Sequence, residues 1–254
     1  MIVDGYSHCG ILKYQPVEVV LDTMAQAGVD RAVLCQHLGE VDNSYLAQVA
    51  GSRPEQFAAV LLVNPAEPDA AEKLKQWSDT GRFRGVRLLA DWFEPYFRLW
   101  REAVRQGLHL ILYAPDGIAE VVPSVRRLLR ECPRARVVVS HLGNPQLVDG
   151  RLVRGPELFQ LDQEAGVLVL ISGLSMFCVY PYAELREFVS DVIRRFGPRR
   201  LMWGSNFPVC GDATAYQGDL IHLRMGEWGV SSDEIDAIVG GTARNLWFGE
   251  SARY

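Results

Sequence analysis

Histidine, tyrosine and arginine side chains follow several short apolar runs of this chain, at the points where the runs end. Imidazoles exchange protons near neutral pH, phenols donate hydrogen bonds to a developing oxyanion, and a guanidinium group can hold a carboxylate through two parallel hydrogen bonds. Together these residue types suit acid–base chemistry on a small molecule that carries a carboxylate. The polar residues at the ends of the runs are Tyr6, His8, Gln36, His37, Asn64, Arg87, Tyr113, His141, Ser172 and Asn206.

The apolar runs that precede these residues must position them. Most are near-continuous stretches of Val, Ile and Leu without polar alternation, which is typical of parallel strands covered on both faces. The sequence predicts eight strands, at about 1–3, 32–35, 57–63, 86–89, 108–113, 137–139, 167–171 and 201–203.

Segments with helical spacing lie between the predicted strands. In the first, Val17, Val20 and Met24 share a face, Pro16 suits the first turn and Gly28 suits the C-terminal cap. Alternating strands and helices predict a single (βα)8 TIM barrel, whose active site lies at the C-terminal ends of the strands. Further helices are predicted at about 42–51, 69–78, 96–106, 118–131, 156–165 and 182–196.

The longest predicted connections at the C-terminal ends of the strands are 142–155, 173–181 and 206–230. The last of these includes a predicted extra helix near 214–227, for which Asp212 is the expected N-cap. The final helix opens with Ser231 and Glu234 at capping-box spacing.

The composition indicates a protein that acts on small molecules. The chain has 254 residues and 48% hydrophobic content, so we expect one domain over 1–254. A net charge of −5 without a block of Lys or Arg argues against nucleic acid or an anionic membrane as partner. The five scattered cysteines form no CxxC pair and no apolar run is long enough to span a bilayer, so we expect a cytoplasmic protein.

Three motifs end predicted strands, and a fourth lies in the last helical segment. They are Tyr6-Ser7-His8, Ser140-His141-Leu142-Gly143, Gly204-Ser205-Asn206-Phe207-Pro208 and Gly241-Thr242-Ala243-Arg244-Asn245-Leu246. Their order and placement resemble the amidohydrolase superfamily, specifically its amidohydrolase-related (amidohydrolase 2) branch, over nearly the whole chain. The resemblance implies a TIM-barrel hydrolase or lyase and, by analogy with relatives, a homodimer.

The chain departs from this family at the positions where relatives bind metal. Members usually carry His-x-His on strand one, a histidine on strands five and six, and an aspartate on strand eight. His8 and His141 match this pattern, whereas Tyr6 and Tyr113 stand at histidine positions and Asn206 stands at the aspartate. A catalytic zinc site takes about three ligands from His, Cys and carboxylate, and a neutral amide is no general base. The sequence therefore predicts a degenerate metal site and no cofactor.

We accordingly expect metal-independent acid–base chemistry on a small cyclic or aromatic carboxylated substrate. The predicted acid and base are His8 and His141, and Tyr6 and Tyr113 are the predicted oxyanion donors. Lactone hydrolysis, decarboxylation, and isomerisation or cyclisation are all compatible with this set. The predicted substrate-binding residues are Arg87, Asn206, His37, Ser172 and Trp92.

Two other functions stay open at this point. In one, Zn²⁺ or Mn²⁺ is held by His8, His141 and a third ligand such as His37 or Asp212, and the protein is an ordinary metal-dependent hydrolase. In the other, the barrel is catalytically inactive and binds a ligand or a partner protein, and its histidines only satisfy buried polar groups. Metal content separates the first alternative from the predicted function, and substitution of His8 and His141 separates the second.

Overall fold

The computed structural model describes residues 1–226 and 228–249, and it confirms the predicted (βα)8 barrel. Eight parallel strands form the barrel in the order β1-β2-β3-β4-β5-β6-β9-β10, and β7 and β8 form a separate antiparallel hairpin. The strands are β1 Val3–Ser7, β2 Arg31–Cys35, β3 Phe57–Leu62, β4 Phe83–Leu89, β5 His109–Tyr113, β6 Val137–Val139, β7 Gln146–Val148, β8 Arg151–Arg154, β9 Val167–Ser172 and β10 Leu201–Gly204.

The helices surround the barrel, and several begin or end as their capping residues predict. Gly28 adopts φ 67° and its N–H closes the first helix on Ala25 and Met24, while Ser231 and Glu234 form a reciprocal capping box. The helices are α1 Val17–Ala27, α2 Ser44–Ser52, α3 Ala70–Asp79, α4 Ala90–Phe93, α5 Phe97–Arg105, α6 Val122–Glu131, α7 Arg186–Phe196, α8 Ala213–Met225, α9 Ser232–Asp236 and α10 Thr242–Trp247, with a π-helical turn Ala237–Gly241 between the last two.

The segment after β6 differs from the prediction. The helix expected at 156–165 is wrong, because the chain forms a 3₁₀ helix over Pro156–Leu161 in which Leu158 and Leu161 are buried. Their spacing of three matches the 3₁₀ repeat, so one short turn buries both side chains. The preceding connection also contains the β7–β8 hairpin, which the sequence analysis did not predict.

The bounds of several further elements differ from the prediction, and two of these elements lie beside the site. The first strand was expected at 1–3 but spans Val3–Ser7, so Tyr6 lies inside β1 and not after it. A strand can contain the polar Asp4 here because its carboxylate accepts hydrogen bonds from Ser205. The extra helix is α8, with Asp212 as N-cap accepting from the N–H groups of Thr214 and Ala215; the expected end at Glu227 lies outside the described residues.

The first and last barrel strands meet at a seam beside the predicted site. The N–H of Asn206 donates to the Tyr6 carbonyl oxygen and the N–H of His8 donates to that of Phe207, both at 2.8 Å. A Cβ on Gly5 would lie 2.7 Å from the Trp203 carbonyl oxygen. Glycine therefore permits the close approach of strands β1 and β10 that brings His8 and Asn206 together.

Two layers of apolar side chains hold this frame. One lies between the strands and the helices, and the other fills the barrel interior and is covered at its base by Trp247. Within residues 1–226 and 228–249, no helix is both long enough and apolar enough to cross a membrane.

Candidate active site

His8 follows β1 and lies at the centre of the barrel mouth. Its Nδ1 is 2.7 Å from the carbonyl oxygen of Cys35 at the end of β2, and its Nε2 is 3.2 Å from Oδ1 of Asn206 after β10. Burial, and next the nearby charge of Arg87, lower the pKa of His8 to about 3. The imidazole is therefore neutral at physiological pH.

The hydrogen bonds of His8 fix which nitrogen carries its proton. A carbonyl oxygen only accepts, so Nδ1 must carry the hydrogen and Nε2 keeps a lone pair. A lone pair facing the Asn206 oxygen would be repelled, so this 3.2 Å contact becomes favourable only when the amide turns by half and Nδ2 donates to Nε2. His8 is thus held as a neutral base whose basic atom faces Asn206.

His141 follows β6 and is held by β9. Its Nδ1 lies 2.9 Å from the Ser172 hydroxyl oxygen, which also accepts the His141 backbone N–H at 3.3 Å. Burial, and next Arg87, lower the pKa of His141 to about 3. Among the described residues Nδ1 is the acceptor found for the buried Ser172 hydroxyl proton, so His141 carries its own hydrogen on Nε2 and is a donor.

Tyr6 contacts both histidines from inside β1. Its ring centroid lies 5.0 Å from each imidazole, edge-on in both cases. Burial raises the pKa of Tyr6 far above its usual value, so the phenol stays protonated. No described residue accepts a hydrogen bond from its hydroxyl group, which is buried. An unpaired buried donor of this kind is costly unless a bound molecule supplies the acceptor.

Arg87 projects from β4 into the same space. Its Nη1 donates to the carbonyl oxygen of Gln36 at 3.0 Å, and its guanidinium carbon lies 5.6 Å and 5.5 Å from the ring centroids of Tyr6 and Tyr113. Within the described part of the chain its buried Nε has no partner. Tyr113, at the end of β5, also packs edge-on against His141 at 5.6 Å.

The backbone around the site is strained. Four residues other than glycine adopt a positive φ at these strand ends: His141, Leu142, Asn144 and Asn206, with φ of 52°, 56°, 63° and 55°. L-residues enter this region at a cost of about 1–2 kcal/mol each, and such strain clusters at functional sites. The hydrogen bonds of the seam and of Ser172 hold His141 and Asn206 in place against this cost.

Tyr14 belongs to this cluster and was missed in the sequence analysis. Its ring stacks on His8 with centroids 4.9 Å apart and 21° between the planes, and it packs edge-on against His37 at 5.1 Å. Tyr14 lies in the irregular loop after β1, away from any strand end. Position at a strand end therefore does not predict Tyr14. The available signal was an aromatic residue in the loop that follows His8.

The match to protein families decides the identity. The model of a family described as amidohydrolase matches residues 10–249. The chain belongs to this amidohydrolase family. The resemblance inferred from the strand-end motifs is confirmed, and the protein is an enzyme of the amidohydrolase superfamily.

Proteins similar to this amidohydrolase include a lactonase and two proteins of known structure. The L-fucono-1,5-lactonase of Burkholderia ambifaria is 27% identical over 242 residues, which cover 90% of this chain and 80% of that one. The structure of a candidate 2-pyrone-4,6-dicarboxylic acid hydrolase from Pseudomonas putida has a TM-score of 0.78 at 23% identity and covers 98% of both chains. A Burkholderia multivorans amidohydrolase with bound zinc has a TM-score of 0.71 at 19% identity, covering 98% of this chain and 99% of that one.

The residues of this amidohydrolase do not fit the metal that a relative holds. Within residues 1–226 and 228–249, no group of three His, Cys, Asp or Glu side chains is arranged to hold a metal ion. His8 and His141 each offer one nitrogen at most, and the Arg87 guanidinium lies close enough to depress the pKa of both. That positive charge opposes a divalent cation. Burial raises the pKa of the Cys35 thiol to about 12, so the thiol is protonated at neutral pH.

The remaining predicted residues fall into two groups. Ser172 and Asn206 contact the histidines directly, and His37 reaches them through Tyr14. Trp92 lies in α4, half-buried and packed against the outer core. The exposed Asp212 caps α8, and no contact joins it to His8 or His141 in the described residues.

Proposed function

We propose that this amidohydrolase opens a cyclic ester of a small carboxylated molecule by acid–base catalysis without a metal ion. The observation that carries the proposal is the pair of unpaired buried donors, Arg87 Nε and the Tyr6 hydroxyl, beside the neutral imidazole of His8. Such donors are expected where a ligand supplies the acceptors. The names of two similar proteins, a lactonase and a 2-pyrone dicarboxylic acid hydrolase, agree with a cyclic ester as substrate.

Arg87 is the residue expected to hold the substrate carboxylate. It is 6% exposed, and no ion pair to it is found among residues 1–226 and 228–249. A buried charge without a counter-charge is unfavourable, and a carboxylate that accepts from Nε and a terminal nitrogen would relieve it. Tyr6 and Tyr113, whose rings flank the guanidinium, would then lie on either side of the bound group.

His8 is the proposed general base. Its Nε2 takes a proton from a water molecule while the water oxygen forms a bond to the ester carbonyl carbon. The resulting oxyanion accepts hydrogen bonds from the Tyr6 hydroxyl and from Nε2–H of His141. The imidazolium of His8 then returns the proton to the ring oxygen as the ring C–O bond breaks, which leaves a hydroxy acid and neutral His8.

Substrate binding strengthens this base. The charge of Arg87 is the second cause that depresses the pKa of His8, after burial. A bound carboxylate neutralises that charge, so we expect the pKa of His8 to rise when a carboxylated substrate binds. Carboxylated substrates are thereby favoured in the chemical step as well as in binding.

Asn206 supports a second candidate reaction. A neutral amide stands beside the base, where the family usually places an aspartate that would activate water. A site of neutral donors around one imidazole can also stabilise an enolate, which isomerisation, cyclisation and decarboxylation require. In these reactions His8 and His141 would move a proton between carbon atoms or to the vacated carbon, and no water would add.

A matched panel of lactones tests the proposal. We expect ring opening of lactones that carry a carboxylate on the ring, followed by mass spectrometry of the product, with kcat/KM about 100-fold above that of their neutral analogues. The Arg87→Gln variant should lose this preference without slowing the neutral analogues, because the pKa of His8 rises when the charge is removed. Arg136→Gln, which removes an arginine at the opposite end of the barrel, is the control.

Metal content distinguishes the proposal from a metallohydrolase. Elemental analysis of protein purified without chelator is expected to give far less than one Zn²⁺ or Mn²⁺ per chain, and chelation should leave activity intact. One tightly bound ion that activity requires would refute metal independence. A product isomeric with the substrate, or release of CO₂, would assign the second candidate reaction.

A further inference from the structure

The centre of the candidate site is closed to solvent. His8 and His141 expose 1% and 2% of their surface, and Tyr6 exposes none. A substrate cannot contact a base that is buried to this extent unless one of the side chains that cover it moves away. The question is which of the groups that cover His8 can do so.

Most of the groups around His8 are fixed in the barrel. Cys35 ends β2, Tyr6 lies within β1, and Asn206 is bonded through its N–H to Tyr6 across the seam. Moving any of them would break the hydrogen bonds that close the sheet. Tyr14 is the neighbour that a loop away from the strand ends carries, and its ring covers one face of the imidazole at 4.9 Å.

The loop that carries Tyr14 is attached mainly through this one ring. Among residues 11–16 Tyr14 is the one side chain that is not exposed, and the tip residues Ile11 and Leu12 expose 72% and 89% of their surface. The N–H of Gly10 donates to the carbonyl oxygen of Gln15 at 2.9 Å, which joins the two ends of the loop. A loop with few buried contacts and a pinned base opens at low cost.

We infer that Tyr14 is a gating residue, and that a substrate reaches His8 by displacing the Tyr14 ring and taking its place against the imidazole. A planar ring is the shape that this position accepts, because Tyr14 itself lies nearly parallel to His8, 21° from coplanar. Tyr14 thus selects flat cyclic substrates, and Arg87 then selects those that carry a negative charge. The inference rests on the proposed function only in placing the reaction at His8.

Chemical modification of histidine tests the gate without any substrate. Diethyl pyrocarbonate reacts with the free lone pair of a neutral imidazole, and peptide mapping reports each histidine separately. In the Tyr14→Ala variant we expect His8 to be modified at least about tenfold faster than in the unaltered protein. Tyr14→Phe should keep the unaltered rate, because the phenyl ring preserves the stack.

Three controls make the result decisive. His109, at the other end of the barrel, should react at the same rate in every variant, so a general rise would indicate loss of the fold. Leu12→Ala changes the same loop at an exposed residue and should leave the rate for His8 unaltered. Met176→Ala tests the second loop near the site, whose Met176 sulfur contacts Asn206 at 3.3 Å. A faster reaction of His8 in Met176→Ala, with no change in Tyr14→Ala, would overturn the inference.

A kinetic measurement then separates the gate from the reaction. With a ring-opening substrate in hand, Tyr14→Ala should lower KM, because no ring has to be displaced, and should narrow the difference in KM between planar and puckered substrates, while Tyr14→Phe retains both values. If modification of His8 responds as expected but no lactone is opened, the gate stands and the proposed reaction fails. An unchanged rate for His8 with active lactone hydrolysis would reject the gate alone.

Discussion

His8 at the mouth of the barrel and His109 at its base have similar surroundings. Burial is the largest cause that lowers both pKa values, to about 3 and about 4, and nearby arginines lower both further. Each imidazole also packs against an aromatic ring, that of Tyr14 or that of Trp247. Residue type and nearby charge therefore do not distinguish the two ends, although His8 is buried and His109 is partly exposed.

The two ends differ in backbone strain and in how the hydrogen bonds of their arginines are satisfied. At the base, His109 donates to the Leu246 backbone, and Arg136 Nη1 donates to two carbonyl oxygens at 2.9 Å and 3.3 Å, although the buried Nε1 of Trp247 has no partner among the described residues. At the mouth, Arg87 Nε and the Tyr6 hydroxyl have no partner in the described residues, and His141 and Asn206 have a positive φ. Unpaired donors on a strained backbone mark the end that is arranged for a ligand.

Substitution of the two histidines tests this comparison with the largest expected effect. We expect His8→Gln to reduce kcat/KM by about 10³-fold, because it removes the general base and keeps a polar side chain of similar reach. His109→Gln should leave kcat/KM within about threefold and lower the thermal midpoint instead, since only a structural hydrogen bond is weakened. Similar losses of activity in the two variants, at matched folded fractions measured by circular dichroism, would contradict this distinction between the two ends.

Two glycines with the same backbone angle give a smaller and more sharply matched test. Gly173, after β9, and Gly81, before β4, both have φ of 66°. A Cβ on Gly173 would lie 2.9 Å from Nδ1 of His141 and 2.8 Å from the Met176 sulfur, whereas a Cβ on Gly81 meets nothing within 4 Å. Both alanine variants should lose about 1–2 kcal/mol of stability from the left-handed backbone.

Only Gly173→Ala is then expected to lose activity, by at least about tenfold, because the added methyl group displaces the His141 imidazole. Chemical denaturation gives the free energies of unfolding and steady-state assays give kcat/KM. Equal activity in the two variants at equal stability would show that the position of His141 is not critical.

The barrel could be predicted because long Val, Ile and Leu runs favour parallel strands wherever they occur in this chain. The same runs placed His141 just after a strand, whereas Arg87, expected at a strand end, lies within β4. Tyr14 could not be predicted, since its contact with His8 depends on the path of a loop without a periodic pattern. Asp4 concealed most of β1, because its burial depends on Ser205, a residue at the far end of the chain.

The pH profile of activity should show only a small effect, and it tests whether the buried His8 is the catalytic base. The pKa of His8 is lowered from 6.5 in the unfolded chain to about 3 in the folded protein, so the base stays neutral as pH falls. We expect kcat/KM to change by less than about twofold between pH 8 and pH 5. A decline centred near pH 6.5 would mean that the catalytic base titrates normally and is not His8 in this setting.

The free energy of unfolding should depend on pH in a different way from kcat/KM. His8, His141 and His109 bind protons more weakly when folded, so the stability present above about pH 6.5 is lost as pH falls towards their folded values. Asp4 acts in the opposite sense: its pKa is raised to about 6, so its contribution to stability is present below about pH 3.8 and lost as pH rises through about 6.

Arg136→Gln removes a charge that lowers the pKa of His109, and should flatten the decline of folding stability at acid pH without moving the pH profile of activity. Arg87→Gln removes the corresponding charge at the mouth, and should move the acid limb of its residual activity to higher pH because the pKa of His8 rises. Activity and denaturation profiles of these two variants, measured in the same buffers, would show whether the ends of the barrel titrate independently; a shift of both profiles in either variant would show that they do not.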